Sequence, residues 1–239
     1  MDFISLVIRS NEMAKDFNHP KVVEKYDEHI RCLIPGYELV HLQIQSILKA
    51  KLSPHAKILI AGCGTGYELE YLLKTFPEAN FVAFDPSEEM IHKAKARIKT
   101  NDLERVEFII GDSSVLQSHS QQYDVALAIL VSHFLDASQK KKYFKDIQQS
   151  LNFEGFLMSF DLMQFKDQQQ ILQLKYLTES LGLSEKQSQM MVERLEDDFE
   201  LISIQDMQQL LRNCGFNSTE CFTQISNFYG VIAYGKGVE

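Results

Sequence analysis

The feature that most limits the fold of this chain is a short apolar run that leads directly into three closely spaced glycines. Residues 57–61 read Lys-Ile-Leu-Ile-Ala, and Gly62, Gly64 and Gly66 follow them. Residues 68–75 then contain leucines at helical spacing, at 69, 72 and 73. Glycine adopts backbone angles that a Cβ forbids, and it lets a ligand approach the main chain closely. The pattern predicts a strand, a ligand-binding turn and a helix; a glycine-rich turn without a ligand is the alternative.

Strand and helix signals alternate through the middle of the chain. This rhythm predicts an α/β fold with a parallel sheet and helices on both faces. Near the end of the chain, residues 219–225 and 228–234 are predicted to form a β-hairpin across Ser226 and Asn227. The other predicted strands lie at 80–84, 106–110, 124–130 and 155–160, and the helices between them at 87–99 and 139–151.

Helical patterns flank this alternating region. Two helices are predicted before the first strand, at 22–32 and 36–50, and a helical hairpin that turns at Gly182 at 165–196. Another helix is predicted at 205–213. Because no linker is rich in Pro and Gly, these helices are expected to cap one domain. We therefore expect an N-terminal helical lid over residues 1–50, and a domain over 51–239 with a helical insertion at about 163–200.

Composition excludes several functional classes. The chain has 24 Lys and Arg against 33 Asp and Glu, a formal net charge of -9, which makes nucleic acid an unlikely partner. Its four cysteines form no C-x-x-C pair, so no metal site is expected. The N-terminal apolar run is too short for a secretory signal, and no segment is long enough to span a bilayer. We expect a cytoplasmic protein that does not contact a membrane.

Two carboxylates follow consecutive strands of the predicted sheet. Asp85 comes after the second strand, roughly 20 residues beyond the glycine turn, where an acid can accept both ribose hydroxyls of an adenosine. Asp112 comes after the third strand, where it can accept a hydrogen bond from an adenine amino group. The carboxyl ends of parallel strands are where open α/β sheets bind ligands. The alternatives are a helix-capping role for Asp85 and a turn-forming role for Asp112.

Five segments stand in order over about residues 55–162: AGCGTG, FDPSEEM, FIIGDSS, YDVALAILVSHFLD and LNFEGFLMSFDL. Together they resemble the five successive motifs of class I S-adenosylmethionine-dependent methyltransferases. The resemblance implies S-adenosylmethionine (SAM) as the methyl donor. It also implies a Rossmann-like, seven-stranded, mostly parallel sheet with an antiparallel C-terminal hairpin, flanked by helices and covered by a helical cap.

The resemblance further implies which residues hold SAM. This chain has Ile60 where the family usually has an acid, so the carbonyl of Ala61 is expected to contribute more to holding the amino group. The resemblance places Gly62, Gly64 and Gly66 at the methionine end of SAM and Asp85 at its ribose. It places Asp112, Ser113, Pro86 and Met90 at the adenine, and Leu130 and Val131 under the sulfonium.

The segment before the first strand resembles the lid of a subset of small methyltransferases. Tyr26-Asp27, Arg31 and Ile-Pro-Gly-Tyr at 34–37 carry this similarity. The subset includes the tRNA uridine carboxymethyltransferase that uses carboxy-SAM, in which a tyrosine matching Tyr37 touches the cofactor. The arginine with which that enzyme reads the extra carboxylate corresponds to Leu210 here, whereas Arg212 lies two residues away. With the acidic net charge, this favours ordinary SAM over carboxy-SAM.

Methyl transfer from a sulfonium mainly requires alignment of the reacting atoms, and the need for a general base depends on the acceptor. His133 and Asp161 follow the fourth and fifth strands and are the candidate bases, although each has a structural alternative. Lys140, Lys141 and Lys142 are interpreted as a solvated helix face.

We therefore predict an enzyme that methylates a small-molecule acceptor held under the cap. Apolar cap helices could support a homodimer. A tRNA-modifying carboxy-SAM enzyme and a non-catalytic SAM-binding protein are the alternatives, and Ile60 is the support for the latter. A dinucleotide-dependent dehydrogenase is disfavoured because Tyr67 occupies the position of the third glycine.

Overall fold

The computed structural model describes residues 19–119, 122–235 and 237. Their strands form one seven-stranded sheet in the order β3-β2-β1-β4-β5-β7-β6. The first five strands pair in parallel, and β7 pairs antiparallel with both β5 and β6. This arrangement confirms the predicted Rossmann-like sheet with its antiparallel C-terminal hairpin. The strands are β1 Lys57–Ala61, β2 Asn80–Asp85, β3 Val106–Ile110, β4 Tyr123–Ile129, β5 Leu151–Leu162, β6 Ser218–Ile225 and β7 Phe228–Tyr234.

Helices cover both faces of the sheet. Side chains alternate across β1, so Ile58 and Ile60 enter one hydrophobic core while Leu59 and Ala61 enter the other. The first core packs against α1–α4, and the second packs against α5 and α9. The helices are α1 Pro20–Leu33, α2 Tyr37–Lys51, α3 Tyr67–Thr75, α4 Glu88–Arg97, α5 Ala137–Ser150, α6 Gln168–Ser180, α7 Glu185–Glu193, α8 Leu195–Asp198 and α9 Ile204–Asn213.

The strand order reverses at β1, which lies between β2 and β4. The two connections that leave β1 and β4 therefore run to opposite sides of the sheet and open a crevice at the carboxyl ends of these strands. The glycine turn, residues 62–66, lies at this crevice because it directly follows β1. The topology thus places the most constrained segment of the sequence where ligands bind in folds of this kind.

Two elements differ from the sequence-based prediction. Strand β5 begins at Leu151, not at residue 155, because Leu151 already pairs with Tyr123. An irregular stretch follows, and regular pairing resumes at Val125 and Phe156. The segment predicted as a helical hairpin holds three helices, α6, α7 and the short α8. Its turn does fall at Gly182, whose φ of 114° favours glycine.

The predicted N-terminal lid is described from His19 onward, and residues 1–18 lie outside the described residues. Its helices α1 and α2 meet at Gly36, which has a φ of 71°. A Cβ on Gly36 would lie 2.2 Å from Cδ1 of Ile225 at the end of β6. The corner of the lid therefore rests directly on the C-terminal hairpin.

In the described part of the chain, no helix combines the length and the apolar composition needed to cross a membrane. The same residues contain no group of three or more His, Cys, Asp or Glu side chains placed to hold a metal ion. All four cysteines are free thiols.

Candidate active site

The three glycines of the turn differ in what surrounds them. Their φ angles are 80° at Gly62, 49° at Gly64 and 79° at Gly66, all in the region that favours glycine. A Cβ on Gly62 would lie 2.5 Å from Val131 Cγ2, and one on Gly66 would lie 2.9 Å from Ala94 Cβ. A Cβ on Gly64 would meet no atom within 4 Å. Packing of the protein itself thus explains two of the glycines, whereas Gly64 borders open space that a ligand can enter.

Asp85 ends β2 and fixes the glycine turn. Its Oδ2 accepts a hydrogen bond from the Gly64 N–H at 2.9 Å, and its Oδ1 accepts one from the Ser87 N–H at 2.9 Å. Burial raises the pKa of this carboxyl, and the two N–H donors oppose that rise. Ser87, not Asp85, caps α4, because its hydroxyl accepts from the Met90 N–H at 3.1 Å. Asp85 is therefore held beside Gly64, as an acceptor for a ribose would be.

The end of β3 lies next to Asp85, since the Gly111 N–H donates to the Asp85 carbonyl at 3.0 Å. Asp112 is exposed, and its Oδ1 accepts from the N–H and the hydroxyl of Ser114 at 2.8 and 2.5 Å, which lowers the pKa of its carboxyl. The hydroxyl of the buried Ser113 instead donates to Asp146 Oδ2 at 2.6 Å. Of the two neighbours, Asp112 is thus the one whose side chain is open to solvent.

Two further residues expected near adenine flank the start of α4. Met90 is buried and Pro86 is exposed.

The chain leaves β4 through a strained residue. Leu130 has a φ of 59°, which is uncommon for a residue with a side chain and costs free energy. Its N–H donates to the Phe160 carbonyl at 2.7 Å, which ties the turn to β5. The turn carries Val131 onto Gly62. Strain of this kind persists where surrounding contacts enforce it, and here it accompanies the turn that packs Val131 against Gly62.

His133 and Asp161 lie together and are both buried. Asp161 accepts hydrogen bonds from the Ser132 N–H at 2.9 Å, the Ser132 hydroxyl at 2.8 Å and the His133 N–H at 3.3 Å. His133 Nδ1 is 2.9 Å from Asp161 Oδ1, although the angle is not that of a well-formed hydrogen bond. The ring centroid of His133 lies 4.3 Å from that of Phe134 and 5.0 Å from that of Phe199. The carboxylate therefore anchors the loop after β4 and faces one nitrogen of the imidazole.

Lys140 does not belong to a solvated helix face. It is buried, and its Nζ donates to the carbonyl of Leu135 and, at 2.5 Å, to that of Glu200. Burial lowers the pKa of this ammonium group. The Glu200 N–H in turn donates to the His133 carbonyl at 2.8 Å. Lys140 thus joins the segment that carries Phe199 to the loop of His133, a role that the run of three lysines did not indicate.

Helix α1 is fastened to the glycine turn through Asp27. Its carboxylate accepts a hydrogen bond from the Thr65 hydroxyl at 2.5 Å and forms ion pairs with Arg97 and, at 3.3 Å, with Lys93 of α4. Burial, together with the charges of Glu68, Asp85 and Asp27, raises the pKa of Tyr26 on the same helix. The described lid therefore lies over the turn.

Tyr37 is buried at the start of α2. Its ring centroid is 4.5 Å from that of His41 and 5.3 Å from that of Tyr67. The Arg31 guanidinium lies 5.5 Å from the Tyr37 ring and 2.6 Å from Glu38 Oε1. The side chain of Arg31 is therefore already engaged within the lid.

Glu68, in the first turn of α3, is a buried acid that sequence reasoning missed. Its Oε1 lies 3.8 Å from His41 Nε2. Burial raises the pKa of Glu68 to about 7 and lowers that of His41 to about 4, so the imidazole is neutral at physiological pH. Acids are common in the first turn of a helix because the helix dipole stabilises a negative charge there. Glu68 therefore looks like an ordinary first-turn acid in the sequence, which gives no sign that it is buried.

The surroundings of Ala61, Leu210 and Arg212 bear on how the amino group of SAM, or the extra carboxylate of carboxy-SAM, would be bound. The Ala61 carbonyl accepts a hydrogen bond from the Tyr143 hydroxyl at 2.9 Å, so part of its acceptor capacity is used inside the protein. On α9, Leu210 is half-buried, and the guanidinium of Arg212 contacts Gln209 at 3.2 Å and Thr219 at 3.4 Å. Arg212 is exposed and lies at the hairpin strand β6.

Taken together, the open space at Gly64, the fixed carboxylate of Asp85 and the apolar residues after β4 fit an elongated adenosyl ligand along the strand ends. Because Asp112 follows the neighbouring strand β3, this end of the crevice suits the base of such a ligand. At its other end, the lid residue Tyr37 packs against Tyr67, the first residue of α3 after the glycine turn.

Comparisons with known proteins show which family and fold this chain resembles. A family model described as a methyltransferase domain matches residues 58–155. The carboxy-S-adenosyl-L-methionine synthase of Nautilia profundicola is 30% identical over 219 residues, which cover 90% of this chain and 92% of that protein. The malonyl-(acyl-carrier protein) O-methyltransferase of Priestia megaterium is 31% identical over 155 residues, or 63% of this chain and 53% of that protein.

Among solved structures, the plantazolicin methyltransferase BpumL, in complex with a triazolic desmethylPZN analog and SAH, aligns with a TM-score of 0.67 at 17% identity. The alignment covers 97% of this chain and 98% of that one. This similarity concerns the fold.

Proposed function

This chain belongs to the class I S-adenosylmethionine-dependent methyltransferase family, and we propose that it methylates a small molecule held between the strand ends and the lid. The observation that carries this proposal is the pairing of Gly64 with Asp85. The Gly64 N–H donates to the carboxylate at 2.9 Å, and the space beyond its Cα is open. A bare backbone and a buried carboxylate at the switch point of the sheet suit the ribose and methionine portions of SAM.

The residues expected from the sequence are our proposed contacts. Asp85 would accept the ribose hydroxyls, and Asp112 would accept from the adenine amino group. Because the hydroxyl of Ser113 is bonded to Asp146, Ser113 would contribute through its backbone. The other proposed contacts are Tyr37, Ala61, Gly62, Gly64, Gly66, Pro86, Met90, Leu130 and Val131.

SAM supplies a methyl group that its positive sulfur already activates. The task left to the protein is to hold the reacting atoms in line, about 3–3.5 Å apart, and to exclude water. Leu130 and Val131 directly follow β4, and we propose that they form an apolar floor for this step. The described lid helices are fastened over the turn through Asp27, Thr65 and Arg97, and we propose that they close the site.

We propose His133 as the group that removes a proton from acceptors that need a base. With Nδ1 turned to Asp161, Nε2 is the nitrogen left to act on a ligand. Asp161 already accepts three hydrogen bonds from the loop after β4. We therefore assign Asp161 as a positioning residue that orients the imidazole, in place of the base role considered from the sequence.

A calorimetric titration tests the site. Asp85→Ala should abolish detectable binding of SAM, because it removes the ribose acceptor and loosens Gly64. Asp136→Ala, which alters an exposed helix cap on α5, is the matched control and should bind SAM like the wild type. If Asp85→Ala binds SAM as tightly as the wild type, the proposed site is wrong.

The relatives named carboxy-S-adenosyl-L-methionine synthases favour a second candidate, the formation of carboxy-SAM. In that reaction the SAM methyl group loses a proton and its carbon forms a bond to a carboxylate supplied by a second substrate, a carboxyl donor. A carboxylate beside the sulfonium calls for a basic side chain. Leu210 occupies the position that the sequence comparison assigns to such an arginine, and Arg212 contacts Gln209 and Thr219 instead. Mass spectrometry of the nucleoside product separates the reactions, since S-adenosylhomocysteine (SAH) marks methyl transfer and a heavier, carboxylated SAM marks the alternative.

A further inference from the structure

Resting on the function proposed above, we propose that Glu68 binds the α-ammonium group of the methionine portion of SAM. Glu68 is the second residue of α3, which begins directly after the glycine turn. A carboxylate at this place gives the site an anionic group at the end opposite to Asp112. The role is one of binding and orientation, and no covalent step involves Glu68.

The first observation is that Glu68 is a buried acid without a matching cation. Its side chain is 10% exposed, and the imidazole of His41 at 3.8 Å is neutral. Among the Lys and Arg side chains that the structure describes, none forms an ion pair with Glu68, and a backbone N–H, that of Glu68 itself, donates to its carboxylate. Arg97 acts on Glu68 only through its field and pairs directly with Asp27. Burying an ionised carboxylate is costly unless a partner compensates it, so the site favours a positively charged group.

The second observation is where this charge acts. The charge of Glu68 contributes to the raised pKa values of Cys63 in the glycine turn and of Tyr26 and Tyr37 in the lid. Tyr26 also feels the charge of Asp85. The Asp85 carboxylate accepts from the Gly64 N–H at 2.9 Å, and Glu68 follows Gly64 by four residues, so both acids border the glycine turn. SAM carries its ribose and its ammonium on opposite sides of the sulfur, so one molecule can meet both acids.

The third observation is that nearby alternatives are poor acceptors for an ammonium group. Ile60 is apolar and buried in the core against which α3 packs. The Ala61 carbonyl accepts from the Tyr143 hydroxyl at 2.9 Å. A carboxylate forms a stronger hydrogen bond with a charged donor than a carbonyl does. Glu68 thus supplies the negative charge that neither position of β1 provides.

The test compares three ligands in calorimetric titrations of the full chain. SAH carries the ammonium group, deamino-SAH lacks only that group, and methylthioadenosine lacks the whole amino-acid portion. We expect Glu68→Gln to bind SAH roughly ten- to a hundredfold more weakly than the wild type, and to bind methylthioadenosine equally well. The preference of the wild type for SAH over deamino-SAH should disappear in this variant.

Glu70→Gln is the matched control, because Glu70 lies on the same helix but faces Lys74 at 3.1 Å and is partly exposed. It should keep the wild-type preference for SAH. Equal weakening of SAH and methylthioadenosine in Glu68→Gln, or no weakening of either, overturns the inference while the proposed function stands. If the wild type binds none of the three ligands, both fail.

Discussion

At the scale of single residues, Gly64 is the glycine whose surroundings point to a ligand. Gly62 and Gly66 are required by Val131 and Ala94, which a Cβ would approach at 2.5 and 2.9 Å. Gly64 has only open space beside it. The turn thus separates glycines needed for folding from one that we propose is needed for binding.

We expect Gly64→Ala to fold and to lose affinity for SAH. Its Cβ meets no protein atom, so the cost to stability is limited to about 1–2 kcal/mol for a side chain at positive φ. Gly66→Ala, in contrast, should lower the melting temperature strongly because its Cβ collides with Ala94. Thermal melts and SAH titrations of both variants check this, and wild-type affinity in Gly64→Ala would contradict it.

The buried carboxyl of Glu68 should make stability depend on pH. In the folded chain its pKa is raised from 4.5 to about 7, so the native state holds the proton more tightly than the unfolded state does. The contribution of Glu68 to the unfolding free energy therefore falls as pH rises from about 4.5 to about 7. His41, whose pKa is lowered from 6.5 to about 4, contributes a change of opposite sign over much of this range, so only the difference between a Glu68 variant and the wild type isolates the carboxyl. The titratable and charged groups that interact electrostatically with Glu68 include Tyr26, Asp27, Tyr37, His41, Cys63, Tyr71 and Arg97.

Glu68→Gln removes this penalty. Without ligand, we expect the variant to match the wild type near pH 4 and to exceed it above pH 7 by up to about 3 kcal/mol. Urea unfolding at several pH values measures the difference, with Glu70→Gln as the control. A constant difference across the pH range would mean that the carboxyl does not titrate as described.

The sequence predicted some residues of this site better than others. Gly64 and Asp85 could be predicted because each follows the end of a strand, and the local hydrophobic pattern marks where those strands end. Lys140 and Glu68 were not, since both occupy ordinary places on helices and their burial depends on distant segments. Lys140 is covered by the segment at Glu200, and Glu68 by the lid helix that carries His41.

At the scale of elements, the loop after β4 is held in place by the end of β5. Asp161 accepts hydrogen bonds from the backbone of Ser132 and His133, and the Leu130 N–H donates to Phe160. The strained φ of Leu130 is thus balanced by contacts to a neighbouring strand. The loop that we propose carries the base is therefore rigid because of β5.

Asp161→Ala should destabilise this loop. The variant leaves buried donors of Ser132 and His133 without an acceptor, and we expect the unfolding free energy to fall by about 3 kcal/mol. Asp136→Ala at an exposed helix cap should cost only about 1 kcal/mol. Urea unfolding compares the two, and equal losses would argue against an anchoring role for Asp161.

Element boundaries were predictable where a side chain marks them. Ser87 caps α4 as its sequence position indicates, and Gly182 marks the turn between α6 and α7. The early start of β5 was not predictable, because Leu151 enters the sheet by pairing with Tyr123, which precedes it by many residues. Pairing between distant strands leaves no local signature in the sequence.

At the scale of the whole molecule, the described lid and the glycine turn share one carboxylate. Asp27 accepts from Thr65 and pairs with Lys93 and Arg97, so α1, the turn and α4 meet at a single side chain. The sequence indicated a lid from its resemblance to related enzymes, but it did not indicate this contact.

We expect Asp27→Ala to loosen the lid. Peptides from α1 and from the glycine turn should exchange amide hydrogens for deuterium faster in this variant, because the three contacts of Asp27 are lost. Glu28→Ala, which changes the exposed neighbour on the same helix, should exchange like the wild type. Unchanged exchange in Asp27→Ala would show that other contacts hold α1.

Dimer formation stays a prediction. Leu39 and Leu42 of α2 are 55% and 61% exposed, and Leu172 and Tyr176 of α6 are 47% and 59% exposed. Sedimentation of the purified chain over a range of concentrations measures its mass in solution.

The seating of Gly36 on Ile225 has a consequence for biosynthesis. Gly36 at the corner of the lid is translated before β1, whereas the strand on which it rests is translated after β5. A nascent chain can assemble β1, its glycines and β2 well before that strand exists. If the proposed site needs its lid, nucleoside binding would wait until translation reaches the C-terminal hairpin, and a polypeptide truncated before β6 would have the cradle without its cover.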